Sequence, residues 1–200
     1  MDYILEIDCN LPPVLCEKMI KLFELDNRKV PGKIMNQKNN ERKIKISTDL
    51  IVSSDNSFDE WSDIDKVLKN KLTEGLEKYG KHLSNIYKSK SVNWKTSAAN
   101  IFDKMQDCGY QIQRTKKGEY YDWHHDSVME NGRTITFLWY LNTLDPNVDG
   151  GTTDFECGKS IVPTQGKLIL FPATWTYVHR GSTVLSDTSK YICTGWIHMK

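Results

Sequence analysis

Thr134-Ile135-Thr136-Phe137-Leu138-Trp139-Tyr140-Leu141 is a run of β-branched and aromatic residues without a helical period. Runs of this kind bounded by turn residues read as strands. Three more lie on either side of it: Gly109–Lys116, Lys167–Phe171 and Lys190–Ile197. Turn signals separate them, namely Glu130-Asn131-Gly132, Asp149-Gly150-Gly151 and Thr164-Gln165-Gly166. Several short strands with tight turns point to a sandwich or barrel rather than a parallel sheet. The Gly150-Gly151 pair reads as a hairpin loop and not as a phosphate cradle, because no helix follows it.

Toward the N-terminus the pattern changes. Tyr3 to Ile7 alternates as a short strand would, and Leu11-Pro12-Pro13 opens a helix with Leu15, Met19, Leu22 and Phe23 on one face. Residues 26–46 are polar, with a turn at Pro31-Gly32, and read as a loop. Trp61, Ile64, Leu68, Leu72, Leu76 and Tyr79 then recur at three and four, the apolar stripe of a longer helix that packs on a sheet. The expectation is an α+β chain of one domain over 1–200. A strand and helix support region spans 1–104, and a β-rich core spans 105–200.

Bulk properties narrow the function classes. Of the 200 residues 38% are hydrophobic and 26% charged, and the formal net charge is +1. That balance gives no electrostatic case for nucleic acid or an anionic membrane. No stretch reaches the roughly 18 apolar residues of a membrane span. The first residues lack the basic and apolar regions of a signal peptide. Cys9, Cys16, Cys108, Cys157 and Cys193 are odd in number and scattered, without C-x-x-C. Reduced thiols in the cytoplasm are the expectation.

The chemistry concentrates in Tyr120-Tyr121-Asp122-Trp123-His124-His125-Asp126. On a strand, residues i and i+2 share a face, so His124 and Asp126 can approach one cation while His125 points away. A third ligand must come from elsewhere. His82 lies in the predicted helix and His198 at the C-terminal end, which leaves His179, in the β-rich region, as the best candidate. Two imidazoles and one carboxylate leave about three open positions on an octahedral metal. That arrangement suits Fe(II) oxygenases, although manganese, cobalt or nickel also occupy such triads. Zinc is more often closed by four ligands or held by three with one water. Beyond His179, Lys190, Ile192, Thr194 and Trp196 share one face of a strand. A lysine there can meet the far carboxylate of a dicarboxylic acid whose other end chelates the metal.

Taken together, the H-x-D motif, Tyr140-Leu141-Asn142, Gly150-Gly151 before Phe155, Gly166-Lys167-Leu168 leading to Phe171-Pro172, the distal His179, Lys190 and the Thr194-x-Trp196 ending resemble the prolyl 4-hydroxylase-like branch of the 2-oxoglutarate/Fe(II) oxygenases. The resemblance covers roughly residues 105–198. It implies a double-stranded β-helix, or jelly roll, with N-terminal helices packed on one sheet. It implies Fe(II) on His124, Asp126 and His179. It also implies 2-oxoglutarate held at its far carboxylate by Lys190 and Tyr140, with Thr194 and Trp196 lining the pocket, O₂ as oxidant and ascorbate as a possible reductant. Relatives often carry a tyrosine shortly before the glycine that precedes H-x-D; Thr115 stands about there. Lys190, with only Arg180 after the distal histidine, favours the prolyl side over nucleic-acid dealkylation. The implied substrate is a prolyl residue in a peptide or protein. A free amino acid or another side chain comes second, and a non-catalytic jelly-roll binding module is the rival class. The polar stretches 26–46 and 53–60 are candidates to flank the active-site mouth. Arg133, Trp139, Trp175 and Tyr177 are candidates to line a substrate groove, or else belong to an aromatic core.

Overall fold

The structure, a computed structural model, describes residues 2–32, 44–52, 59–86, 105–107, 109–127 and 132–199. The Glu130-Asn131 turn, Cys108 and most of both candidate mouth loops (33–43 and 53–58) lie outside the described residues. The N-terminal part holds β1 (Leu5–Ile7), α1 (Pro13–Leu25), β2 (Val30–Pro31), β3 (Lys45–Ile46), β4 (Thr48–Val52) and α2 (Asp59–Ile86). Then follow β5 (Met105–Asp107), β6 (Tyr110–Thr115), β7 (Tyr120–His124), β8 (Arg133–Tyr140) and β9 (Thr153–Phe155). The last four strands are β10 (Ser160–Ile161), β11 (Leu168–Pro172), β12 (His179–Gly181) and β13 (Lys190–Met199).

Among the described residues the strands form two antiparallel sheets. The larger runs β1-β11-β8-β13-β6-β4-β2, with β5 also on β13, and the smaller runs β10-β9-β12-β7-β3. Side chains of both sheets line one cavity, so the sheets face each other as a double-stranded β-helix. The large sheet is covered on both sides. Ile135, Phe137 and Trp139 of β8 join Cys16, Met19 and Phe23 of α1 and Ile64, Leu68 and Leu72 of α2 in one core. Leu138 and Tyr140, on the other face of the same strand, join Phe155, Ile169 and Phe171 between the sheets. A strand buried on both faces shows a continuous apolar run, not alternation; 134–141 therefore reads as it does.

Two glycines make these layers close. A Cβ at Gly75 in α2 would stand 2.5 Å from Leu168 Cδ2, so the missing side chain lets the helix settle onto β11. A Cβ at Gly195 in β13 would stand 2.4 Å from Phe137 Cζ and 2.7 Å from the Gly109 carbonyl, so that position takes only glycine without displacing the core.

The polar stretch 26–46 is not all loop. It carries β2 and β3, and β4 follows directly. The signal is weak because these strands are short and two of their buried positions are charged. Lys45 and Asp49 bond at 2.6 Å, with side chains 4% and 2% exposed. β3 pairs with β7 in the small sheet and β4 with β6 in the large one. The N-terminal region thus supplies strands to both sheets as well as the helices.

Trp139 is fully enclosed on the helix side, and its indole donates a 2.7 Å hydrogen bond to Asn10 Oδ1. Trp139→Ala is expected to lower stability by about 3–5 kcal/mol and to strand the Asn10 acceptor. Chemical denaturation measures this loss.

Candidate metal centre

His124 ends β7, His179 opens β12, and the two are cross-strand partners in the small sheet. Directly opposed residues on neighbouring strands share a face, so the register alone brings together imidazoles 55 positions apart in sequence. Asp126 lies just beyond β7, in the irregular segment after it. The ligand-capable atoms of the three residues all lie within 4.8 Å of one another. His124 Nε2 stands 3.7 Å from Asp126 Oδ1 and His179 Nε2 stands 3.6 Å from Oδ2. These gaps are too long for hydrogen bonds. Ligand atoms about 2.1 Å from one shared cation stand about 3 to 3.5 Å apart, so a slight closure suffices.

The protonation pattern fits a cation. His124 Nδ1 lies 2.7 Å from the Asp122 carbonyl and His179 Nδ1 lies 3.0 Å from the Tyr177 carbonyl. A carbonyl only accepts, so each Nδ1 carries the proton and each Nε2 turns its lone pair toward Asp126. Burial, aided by the neighbouring His179, pushes the His124 imidazole down to about 4, so it is neutral near pH 7. Burial alone raises the Asp126 carboxyl. Positive charge on the neighbouring imidazoles when they are protonated, together with the Thr136 hydroxyl that donates to Oδ2 at 2.7 Å, outweighs that and holds the carboxyl below its usual range. Among the described residues no other group of three or more metal-ligating side chains gathers in this way.

The triad opens on a small cavity, in part solvent-facing. Lys190, Ile192, Thr194 and Trp196 of β13 line it together, as their common strand face predicts. Lys190 is 5% exposed, and burial pushes its ammonium down to about 7. Among the described residues it meets no carboxylate at ion-pair distance; its contact is a long 3.4 Å bond to Thr153 Oγ1. Among the described residues the buried indole Nε1 of Trp196 has no hydrogen-bond partner, although it is near enough to help keep Asp126 charged. Thr194 donates to the Phe137 carbonyl at 2.7 Å. A buried cation and a buried donor in one cavity fit a ligand that is anionic and rich in acceptors.

The hydroxyl of Tyr140 donates to Thr153 Oγ1 at 2.7 Å, the atom that Lys190 Nζ reaches at 3.4 Å, and the Lys190 ammonium stands 5.5 Å over the Tyr140 ring. Thr153, which lines the cavity, was not predicted. Trp139 belongs to the helix-side core, the second of the two places open to it. Trp175 is 72% exposed and Tyr177 packs edge-on against Tyr3. Arg133 lies over the Trp196 ring at 3.5 Å and donates to the Asp126 carbonyl. Thr115 does line the cavity. Thr136 and Leu138 also line it, and the two-residue period of β8 contained that signal.

Tyr121 is the residue that alternation conceals. Three residues from His124, it should face the other way, yet its ring stacks on the His124 imidazole at 3.5 Å and 7°. The pairing runs from His179↔His124 to Gly181↔Tyr121, two steps along β12 against three along β7. This β-bulge re-aims Tyr121 into the site.

Residues 110–198 match the 2OG-Fe(II) oxygenase superfamily. No curated protein matches the chain by sequence. Among solved structures, the chain is similar to the viral collagen prolyl hydroxylase of Paramecium Bursaria Chlorella virus-1 in complex with 2OG. That match has 20% identity and a TM-score of 0.68, covering 100% of this chain and 97% of that one. The prolyl-4-hydroxylase of Pseudomonas putida matches at 13% identity and a TM-score of 0.66, covering 98% and 92%. A Trichoplax adhaerens prolyl hydroxylase, bound to a peptide fragment of the hypoxia inducible factor oxygen degradation domain, matches at 15% and 0.71, covering 100% and 84%. At these identities the likeness establishes a shared fold.

Proposed function

We propose that this chain, whose residues 110–198 match the 2OG-Fe(II) oxygenase superfamily, is a dioxygenase that hydroxylates a prolyl residue in a peptide or protein. The observation that carries the reading is the buried Lys190 ammonium, with no carboxylate at ion-pair distance among the described residues, in the same cavity as the His124-Asp126-His179 group. Ferrous iron with 2-oxoglutarate supplies the oxidative chemistry when bound: O₂ is divided between succinate, released with CO₂, and a hydroxyl on the substrate. His124, Asp126 and His179 would hold the iron, and three protein ligands would leave room for cosubstrate and O₂. Lys190 pairs with the far carboxylate of 2-oxoglutarate, and Tyr140 holds Thr153 in place beside that ion pair. Thr136 keeps the Asp126 carboxylate charged and oriented. Ile192, Leu138 and Phe171 exclude water from the cavity wall. The prolyl assignment draws on the prolyl hydroxylases that share the fold. Ascorbate as reductant and a cytoplasmic location, in keeping with the exposed thiols of Cys9 and Cys157, belong to the same reading.

The test is a coupled assay with Fe(II), 2-oxoglutarate and a panel of proline-containing peptides. Peptide addition is expected to raise succinate release by tenfold or more and to add one oxygen to a prolyl residue, seen by mass spectrometry. If free amino acids are oxidised and no peptide is, the prolyl assignment is wrong.

A further inference from the structure

The geometry points to Tyr121 as a positioning residue for the metal centre, clamped in place by the buried Lys45–Asp49 pair; this rests on the reading that His124 ligates a metal. β3 and β7 pair with Lys45 directly opposite Tyr121, so the two side chains lie on one face. The Lys45 ammonium stands 5.1 Å over the Tyr121 ring. Because the His124 imidazole already covers one face of that ring at 3.5 Å, the ammonium takes the other. Asp49 Oδ2 accepts from Lys45 at 2.6 Å, and Asp49 is itself fixed by Ser47 Oγ at 2.7 Å and Gln111 Nε2 at 3.1 Å. A continuous stack therefore runs from Asp49 through Lys45 and Tyr121 to His124, the last member being a proposed ligand.

The stack does what the backbone cannot. The Nδ1–H bond to the Asp122 carbonyl fixes His124 in the ring plane. It leaves rocking of the imidazole out of that plane unopposed, and Tyr121 closes that freedom from the face. His179 gets the same pair of restraints from other groups: its bond to the Tyr177 carbonyl and the edge-on Phe171 ring at 4.8 Å. The bulge in β7 has a purpose in this account, since without the extra residue Tyr121 would face away from His124. A buried ion pair is weak as a source of stability but well suited to holding one aromatic ring in register.

The full chain, titrated with Co(II) alone and followed through the visible d–d bands, tests this. Tyr121→Phe keeps the flat face and is expected to bind within about twofold of the parent. Tyr121→Leu removes it and is expected to bind about tenfold or more weakly, with altered bands, while circular dichroism of the metal-free chain shows a retained fold. If the leucine chain does not fold, the Lys45→Met/Asp49→Asn chain carries the test. It keeps the ring, releases its clamp, and is expected to lose roughly threefold in affinity, less than loss of a full outer partner. A folded Tyr121→Leu or clamp variant with parental affinity and bands overturns the proposal, and so does a phenylalanine variant as weak as the leucine one. A parent chain that binds no Co(II), or a His124→Ala chain that binds as well as the parent, overturns the metal reading itself and the stack with it.

Discussion

Asp126→Ala is expected to abolish Fe(II) binding and 2-oxoglutarate turnover while the chain still folds. The carboxylate is buried, charged and aimed between two imidazole lone pairs. Its removal leaves two neutral ligands, one fewer than a facial triad needs. Loss of an outer hydrogen-bond partner of a ligand costs roughly 10–100-fold in affinity or activity, and loss of the ligand itself goes beyond that, to below detection. Thr136→Val, which deletes only the hydroxyl bonded to Oδ2, is expected to fall within the 10–100-fold range and makes the internal comparison. The folded chain favours the charged Asp126, and in the alanine chain the buried Thr136 hydroxyl loses its acceptor, so the metal-free variant is expected to be somewhat less stable than the parent. It still folds, because neither apolar core includes Asp126. Equilibrium dialysis with Fe(II), succinate assay and thermal unfolding give the three readouts. Near-parental turnover in the alanine chain rules out Asp126 as a ligand.

Lys190→Met is expected to raise the KM for 2-oxoglutarate by about 100-fold or more, with a smaller effect on kcat. Truncating one partner of a buried, hydrogen-bonded charge pair costs about 2–5 kcal/mol, and Lys190 is the buried cation of the cavity. The pH dependence follows from the same burial. The ammonium drops from 10.5 to about 7 in the folded chain. Between those pH values the unfolded chain binds more protons than the folded one, so this group makes stability rise with pH from about 7 to 10.5. An anionic ligand reverses the bias, because it needs the charged form. Above pH 7 its binding takes up a proton, and affinity for 2-oxoglutarate is expected to weaken as pH rises. Calorimetry in buffers of different ionisation enthalpy reads that proton directly. The methionine chain should show neither the uptake nor the slope, and a parent chain with flat affinity from pH 7 to 9 contradicts the assignment.

Much of this was legible in the residues. The i, i+2 rule lined up Lys190, Ile192, Thr194 and Trp196 on one wall, because that inference needs only local strand geometry; His124 and Asp126 do converge, but Asp126 lies past the end of β7, so the irregular segment and not strand alternation aims it. The helix stripe was legible for the same reason: its period is local, and the buried Trp61, Ile64, Leu68, Leu72 and Tyr79 carry it. What was missed depends on partners distant in sequence. β3 and β4 bury Lys45, which read as a loop residue, and Asp49, in a stretch given no element; each neutralises the other. Tyr121 was hidden by a bulge, which changes the count along one strand without any mark in composition. Trp139 and Tyr140 are neighbours on one strand, so alternation sends them to opposite cores. Only the packing shows that Trp139 faces the helices and that Tyr140 meets Thr153 beside Lys190.

The most direct measurement is anomalous diffraction from crystals grown without oxygen in the presence of Fe(II) and 2-oxoglutarate. The account predicts a single strong iron peak within coordination distance of His124 Nε2, His179 Nε2 and the Asp126 carboxylate, with density for the dicarboxylate reaching from that peak to Lys190 Nζ. An iron peak elsewhere, or 2-oxoglutarate bound with its far carboxylate away from Lys190, would contradict it.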